Sequence, residues 1–333
     1  MAALFIFGVI LKRVLSGIQP SGQLHLGNYF GMMKRMIHYQ EENDLFSFIV
    51  DYHAMTSIHD GKRLRDNTLN AAMDFLALGM DPEKSTFWIQ SDVPQVTELT
   101  WILSNVSSVA LMERGTSYKD KLAKGLKANM GLFSYPILMA ADILLFGGEI
   151  VPVGKDQKQH IEMTRDIAVR FNQTYGKVFV VPEPDIDNER QLVPGIDGQK
   201  MSKSYNNTIP IFGEEKAIRK KVMSIVTDST KVDEGKNTDS PLFKIYSLFL
   251  NDFEQAVLRE RFTTPGTGYG DIKKSLFGKI MDHFQSFREK RTYLENHKDS
   301  VYETLQNGAE KASTVAEEYL TRARNAAGLN YKI

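Results

Sequence analysis

Short apolar runs alternate with amphipathic stretches up to about Ile211, and from there to the end the pattern is helical throughout. Period-2 or continuously apolar runs predict strands, and apolar positions recurring every three or four residues predict helices. Val14-Leu15 leads through Ser16-Gly17 and Pro20-Ser21-Gly22 into a helical pattern that begins near Gly27 and passes Met36. Strands are predicted from Asp44, at Thr86 to Gln90 and at Glu149 to Val153. Between them fall helices at Gly61 to Met80, closed by Gly79, and at Val96 to Leu103. A further helix is read into Ser134 to Gly148, with Ser134 as cap, Pro136 in the first turn and Gly147-Gly148 as the stop. The last helix of this half starts after Gly154 and runs to about Phe171, and the proline-punctuated VPEPDID that follows reads as a loop. Strand and helix alternating at this spacing predict a doubly wound α/β domain with a parallel sheet. Beyond Ile211 come helical patterns at Glu214 to Val226, Pro241 to Leu250, Phe253 to Phe262, Asp271 to Asn296 and Tyr302 to Ala327, with a polar loop from Thr227 to Ser240. They predict a small helical bundle.

Composition narrows the class of function. The 333 residues suffice for two domains, 42% of them are apolar, and Lys plus Arg equals Asp plus Glu at 41 each. A nucleic-acid partner would therefore be met by local patches, such as Lys216, Arg219, Lys220 and Lys221, and not by net charge. The absence of cysteine excludes disulfides, thiolate zinc, cysteine-ligated clusters and a cysteine nucleophile, and fits a reducing cytoplasm. Met1 to Leu11 is nearly all apolar but too short to span a bilayer, and its basic residues Lys12 and Arg13 follow the apolar run where a signal peptide needs them in front. It reads as an extension of the first strand or an upstream start, with no membrane association.

The candidate chemistry sits at strand ends and helix heads. The turn from Leu15 to Gly31 offers backbone N–H groups at a helix start, where an anion is favoured, with His25 and Asn28 as added donors. It matches neither G-x-G-x-x-G nor the P-loop, and taken alone it is equally a plain strand-to-helix turn. Asp51 and His53 follow the second strand, and would face the same crevice or cap a loop. Asp142 lies on an apolar helix stripe with Met139 and Phe146, with Tyr135 at the lip; a buried carboxylate needs a donor, whether an internal arginine, a helix cap or a ligand. Gly154-Lys155-Asp156-Gln157 heads a second helix, along which Gln157, His160 and Thr164 repeat. Leu111 to Lys127 is lysine-rich, a solvated face or a loop bringing Arg114 or Lys121 to an anion. Asp197 to Asn207 carries KMSKS, with Lys200 and Lys203 as two cations on a flexible loop.

Taken together, the turn from Pro20 to Asn28, ending in HLGN, and the later KMSKS resemble the paired signatures of class I aminoacyl-tRNA synthetases. YPILMAADILLF and VPVGKDQKQHIEMTRDIAVRFN between them resemble the tryptophanyl-tRNA synthetase family of bacterial type, over essentially all the chain from Arg13. Ser117 departs from the glutamine often found there. The resemblance implies a Rossmann-like catalytic domain at 1–210 and a helical anticodon-binding domain at 211–333. It implies activation of L-tryptophan by ATP with magnesium to tryptophanyl-adenylate and pyrophosphate, then transfer to the 3' end of tRNA(Trp), by a cytoplasmic homodimer. Neither step needs a protein nucleophile, so catalysis is positioning and charge stabilisation.

On the same resemblance, Lys200, Lys203, His25, Asn28 and Lys121 would be catalytic. ATP would be held by Gln19, Pro20, Ser21, Gly27, Asn28, Gly154, Asp156, Gln157, Lys200, Met201, Ser202 and Lys203. Tryptophan would be held by Leu15, Gln19, His53, Tyr135, Met139, Asp142, Val151, Val153 and Gln157, with Asp142 accepting the indole N–H. No metal-binding residue is assigned, magnesium being held on the phosphates. Two rivals remain: the tyrosine enzyme, whose pocket would need a partner for a hydroxyl that both donates and accepts, and a non-catalytic binder of tryptophan or RNA, which would have no use for the two lysines.

Overall fold

The computed structural model describes residues 5–6, 9–20, 22–115, 118–119, 129–186 and 192–331. Among these, β3 (Arg13–Ile18), β4 (Asp44–Ile49), β5 (Ser85–Ile89), β6 (Ile150–Val153) and β7 (Glu183–Ile186) form one sheet in the order β5-β4-β3-β6-β7 with every neighbouring pair parallel. Leu45 to Ile49 is buried at every position, as expected of a parallel strand covered on both faces. The predicted α/β class is thus the observed one.

Three local expectations are corrected. The first apolar residues do not extend β3: β1 (Phe5–Ile6) and β2 (Val9–Ile10) pair antiparallel in a separate two-stranded ribbon. VPEPDID is not a loop but contains the edge strand β7, where Pro184 can sit without the N–H that an interior strand would require. Its charges are anchored: Arg35 grips Asp185 through two 2.9 Å hydrogen bonds, and Arg165 pairs with Glu183 at 2.5 Å.

The helices follow in chain order. α1 (Leu26–Asn28) continues through a π-helical turn, Tyr29–Met33, into α2 (Lys34–His38). Then come α3 (Asp51–Ala54), α4 (Gly61–Ala77), α5 (Gln95–Ser104), α6 (Val109–Glu113), α7 (Met130–Leu144) and α8 (Lys158–Tyr175). The third correction concerns α7, which begins a turn before Ser134. The Asn129 side chain caps it by accepting from Leu132 N–H at 2.8 Å, Ser134 donates back to Met130 O at 2.7 Å, and Pro136 lies inside the helix.

After Ile211 the structure is helical: α9 (Glu215–Met223), α10 (Pro241–Ser247), α11 (Asp252–Thr263), α12 (Tyr269–Asn296) and α13 (Lys298–Ala326). α12 packs on α4, and their join is a buried ion pair, Arg291 with Asp74 at 2.6 Å. α13 turns back onto the sheet, where Gly308 lies so close to β5 that an added Cβ would be 1.9 Å from Phe87 O. One buried apolar cluster accordingly runs from Val14, Met33 and Ile49 to Phe284 and Leu305, across residue 210.

Candidate active site

The sheet order reverses between β3 and β6, so their following loops part and leave a crevice at the carboxyl ends of the strands. β3 delivers Gln19, exposed, and Pro20, buried; β6 delivers Gly154 and the turn Lys155–Gln157. β4 delivers α3 with His53, and β5 delivers Gln90.

On one side of the crevice the two sequence signatures are joined. Leu26 N–H donates to Ile209 O at 3.0 Å and Ile211 N–H to Leu24 O at 3.2 Å, a short antiparallel pairing between the HLGN turn and the chain leaving KMSKS. Gly27 N–H points at the Met201 sulfur, 3.2 Å away, and a Cβ on Gly27 would sit 3.0 Å from His25 Nδ1 and 3.1 Å from Met201 Cβ. Glycine is what lets this helix head, the imidazole and the thioether close on each other.

His25 is extended at the head of α1, and its own N–H donates to Asn28 Oδ1 at 3.2 Å. Its ring is 6% exposed with Nδ1 unpartnered. Burial, and secondly the Lys203 charge, lower its pKa to about 4. At pH 7 it is therefore a neutral ring with one donor and one acceptor nitrogen.

The lysine loop is held from within. Asn207, 1% exposed, accepts from Ser202 N–H at 2.7 Å and donates to Asp197 Oδ1 at 2.8 Å and Lys200 O at 3.0 Å. Asn206 closes the Lys203–Tyr205 turn in the left-handed region at φ +52. Lys200 and Lys203 stay exposed. Desolvation lowers the Lys203 pKa, with Asp74 acting in the opposite sense.

Deeper in the crevice lies the carboxylate of Asp142, 3% exposed. Its donors are neither an arginine nor a helix cap: Gln90 Nε2 lies 2.7 Å from Oδ1 and 2.9 Å from Oδ2, and His53 Nε2 lies 2.8 Å from Oδ2. Burial pushes the carboxyl pKa up, and the bonds from His53 and Gln90 oppose that. Leu15 and Val151 are buried beside Met139 and Val153 in the apolar cluster that includes Trp88 and Phe146.

Tyr135 and Gln157 meet on His160. His160 Nδ1 is 2.8 Å from Gln157 Oε1 and Nε2 faces the Tyr135 hydroxyl. Since the amide oxygen can only accept, Nδ1 carries the proton, and Tyr135 O–H donates to Nε2.

The sequence-derived sets thus divide. His25, Gly27, Asn28, Met201 and Ser202 come together, as do Asp142, His53, Tyr135, Gln157 and the apolar walls. Ser21 and Lys121 lie outside the described residues, and the side chain of Asp156 outside what is described. Gln90 and Asn207 were missed. A signal for Gln90 existed, since it stands one residue past β5 at the crevice end of the sheet.

A family model described as tRNA synthetases class I (W and Y) matches residues 12–285. A tryptophan–tRNA ligase of Fusobacterium nucleatum is 53% identical over 96% of this chain and 98% of its own. One from Campylobacter jejuni is 51% identical over 95% of this chain and 100% of its own. The crystal structure of Campylobacter jejuni tryptophanyl-tRNA synthetase complexed with ADP and tryptophan superimposes with a TM-score of 0.92 over 95% of this chain and 100% of that one, at 51% identity.

Proposed function

The chain belongs to the tryptophanyl-tRNA synthetases, class I enzymes that ligate tryptophan to tRNA, and from that premise we propose how its residues divide the work. ATP, as its magnesium complex, enters against the head of α1. The groups there are donors and cations, namely His25, Asn28, Lys200, Lys203 and backbone N–H, which suits phosphate oxygens and leaves the metal to the substrate. Tryptophan lies between Leu15, Met139, Val151 and Val153, with its indole N–H on Asp142. Its ammonium meets the Tyr135 oxygen, and Gln157 and Gln19 complete the polar end.

The tryptophan carboxylate then attacks the α-phosphorus, the bond to the bridging oxygen breaks, and pyrophosphate leaves with its charge met by Lys200 and Lys203. His25, neutral in the free protein, contributes as a hydrogen-bond donor. The aminoacyl group passes to the terminal ribose of tRNA(Trp), with 211–333 as the anticodon-reading part. The observations that carry this reading are the join of Gly27 to Met201 and a buried Asp142 whose donors, Gln90 and His53, leave room for one more. Phenylalanine would leave that carboxylate one donor short, costing about 1–3 kcal/mol or more.

We further propose a homodimer in the cytoplasm. Trp101 and Met130, 72% and 73% exposed on the packed helices α5 and α7, fit a covered face, and no helix among the described residues is long and apolar enough to cross a membrane. Light scattering tests the first. ATP–pyrophosphate exchange with each amino acid tests the reaction, with exchange expected for tryptophan and background for tyrosine and phenylalanine.

A further inference from the structure

Gln90 enters the site from the turn Gln90–Asp92 and is 1% exposed. Its Oε1 accepts from the backbone N–H of Tyr52 at 3.1 Å, while its Nε2 serves both oxygens of Asp142. A flipped amide would set N–H against N–H at Tyr52 and C=O against the carboxylate. Tyr52 lies in the first turn of α3, so that donor cannot rotate away, and the backbone fixes which end of the amide Asp142 sees. The same short helix supplies His53, whose Nε2 must donate to Oδ2. A carboxylate has about four lone-pair sites, and these donors leave it capacity for one more.

We infer that Gln90 is a specificity-determining positioning residue, which fixes the Asp142 carboxylate so that its remaining lone pair is aimed at a donor hydrogen of the amino acid side chain. This rests on the reading of Asp142 as the indole acceptor. The charged and titratable groups near the pair are Asp51 and His53 on α3, Asp92 on Gln90's own turn, and Tyr135 of α7, whose ring lies against that of His53; Glu310 of α13 faces Asp92 across a groove. Asp51 accepts from the Tyr52 and Ser91 N–H groups, so its charge is fixed close by. Burial raises the Asp142 pKa and the bonds from His53 and Gln90 oppose it, so removing the Gln90 donor raises it further, and an oxygen that takes up a proton offers an O–H to the indole N–H.

Gln90→Glu tests this with nearly the same shape. When the new side chain is protonated it can donate to Asp142 as the amide does; when ionised it cannot. In pyrophosphate exchange from pH 5.5 to 9, the ratio of variant to wild-type KM for tryptophan should lie near one at the acid end and rise ~10- to 100-fold at the alkaline end, with kcat changing much less. Gln90→Leu should raise that KM across the whole range, and add nothing further in an Asp142→Asn background. A pH-independent ratio for Gln90→Glu, or a KM for Gln90→Leu within twofold of wild type, would overturn the inference. If Asp142→Asn alone raises the KM while the Gln90 variants do not, only this inference fails. If Asp142→Asn leaves the KM unchanged, the reading of Asp142 fails and takes the inference with it. Loss of folding is separated from loss of positioning because Gln90→Glu at acid pH serves as its own folded control.

Discussion

Lys203→Ala removes a single charge from the KMSKS loop. Asn207 organises the loop through Asp197, Lys200 O and Ser202, and Met201 docks it on Gly27, so the loop should stay seated. On the proposed division of work, what is lost is an ammonium facing developing negative charge on pyrophosphate. Two unit charges about 4 Å apart interact by roughly 4 kcal/mol at an effective dielectric constant near 20. Losing one such preorganised contact typically costs ~10²–10³ in kcat, or about 2.7–4 kcal/mol. The expected result in pyrophosphate exchange is therefore a ~10²–10³-fold lower kcat with the KM for tryptophan changed by less than about threefold. A second readout is built into the site. Lys203 is the smaller of two causes that lower the His25 pKa to about 4, so the variant's His25 should titrate higher by NMR, yet still below the ordinary histidine value of 6.5 because burial remains. Unchanged kcat, a tryptophan KM that rises as much as kcat falls, or a His25 titration that does not move would each refute the assignment.

Asp142→Ala should act in the opposite way, raising the tryptophan KM ~10- to 100-fold with ATP use little altered, measured in the same exchange assay. His25 gives a pH effect on stability. Its folded pKa is below its unfolded value of 6.5, so the unfolded chain binds the extra proton and stability falls as pH drops from 6.5 towards 4. His25→Asn should lessen that loss by about 1–2 kcal/mol after discounting solvent screening, read from urea unfolding at pH 7 and pH 4.5. Gly308→Ala would place a methyl group against Phe87 O, so α13 must lift from β5, and thermal unfolding should show a loss of about 1–3 kcal/mol.

The elements legible in the sequence were those whose physics is local. Asp44–Ile49 reads as a strand because it is apolar and β-rich, and Gly61 to Met80 as a helix because it is amphipathic and closed by Gly79, which the structure places at φ +110. What escaped depends on partners distant in the chain. β7 contains two polar residues and a proline, and is a strand because Glu183 N–H finds Glu149 O and because an edge tolerates Pro184. The start of α7 was misread because Ser134, a good cap in isolation, lies one turn inside a helix already capped by Asn129. The return of α13 to β5 has no local signature beyond Gly308, a small residue where two backbones meet.

The site was legible to the same extent. Lys200, Lys203, His25 and Asn28 could be proposed because they stand in contiguous motifs. Asp142 stood out because a carboxylate on an apolar stripe is costly; His53 was named too, but that it and Gln90 hold Asp142 was not legible, since they follow two other strands. Asn207 escaped for a similar reason, being an ordinary polar loop residue until its side chain is seen to hold Asp197, Lys200 and Ser202 together.

The most direct test of the whole account is ATP–pyrophosphate exchange by the full chain with tryptophan, tyrosine and phenylalanine in parallel. The expected result is exchange with tryptophan alone, because Asp142 asks for one donor hydrogen and the joined HLGN and KMSKS segments supply the charge that pyrophosphate needs. Exchange with tyrosine but not tryptophan, or no exchange with any of the three, would contradict it.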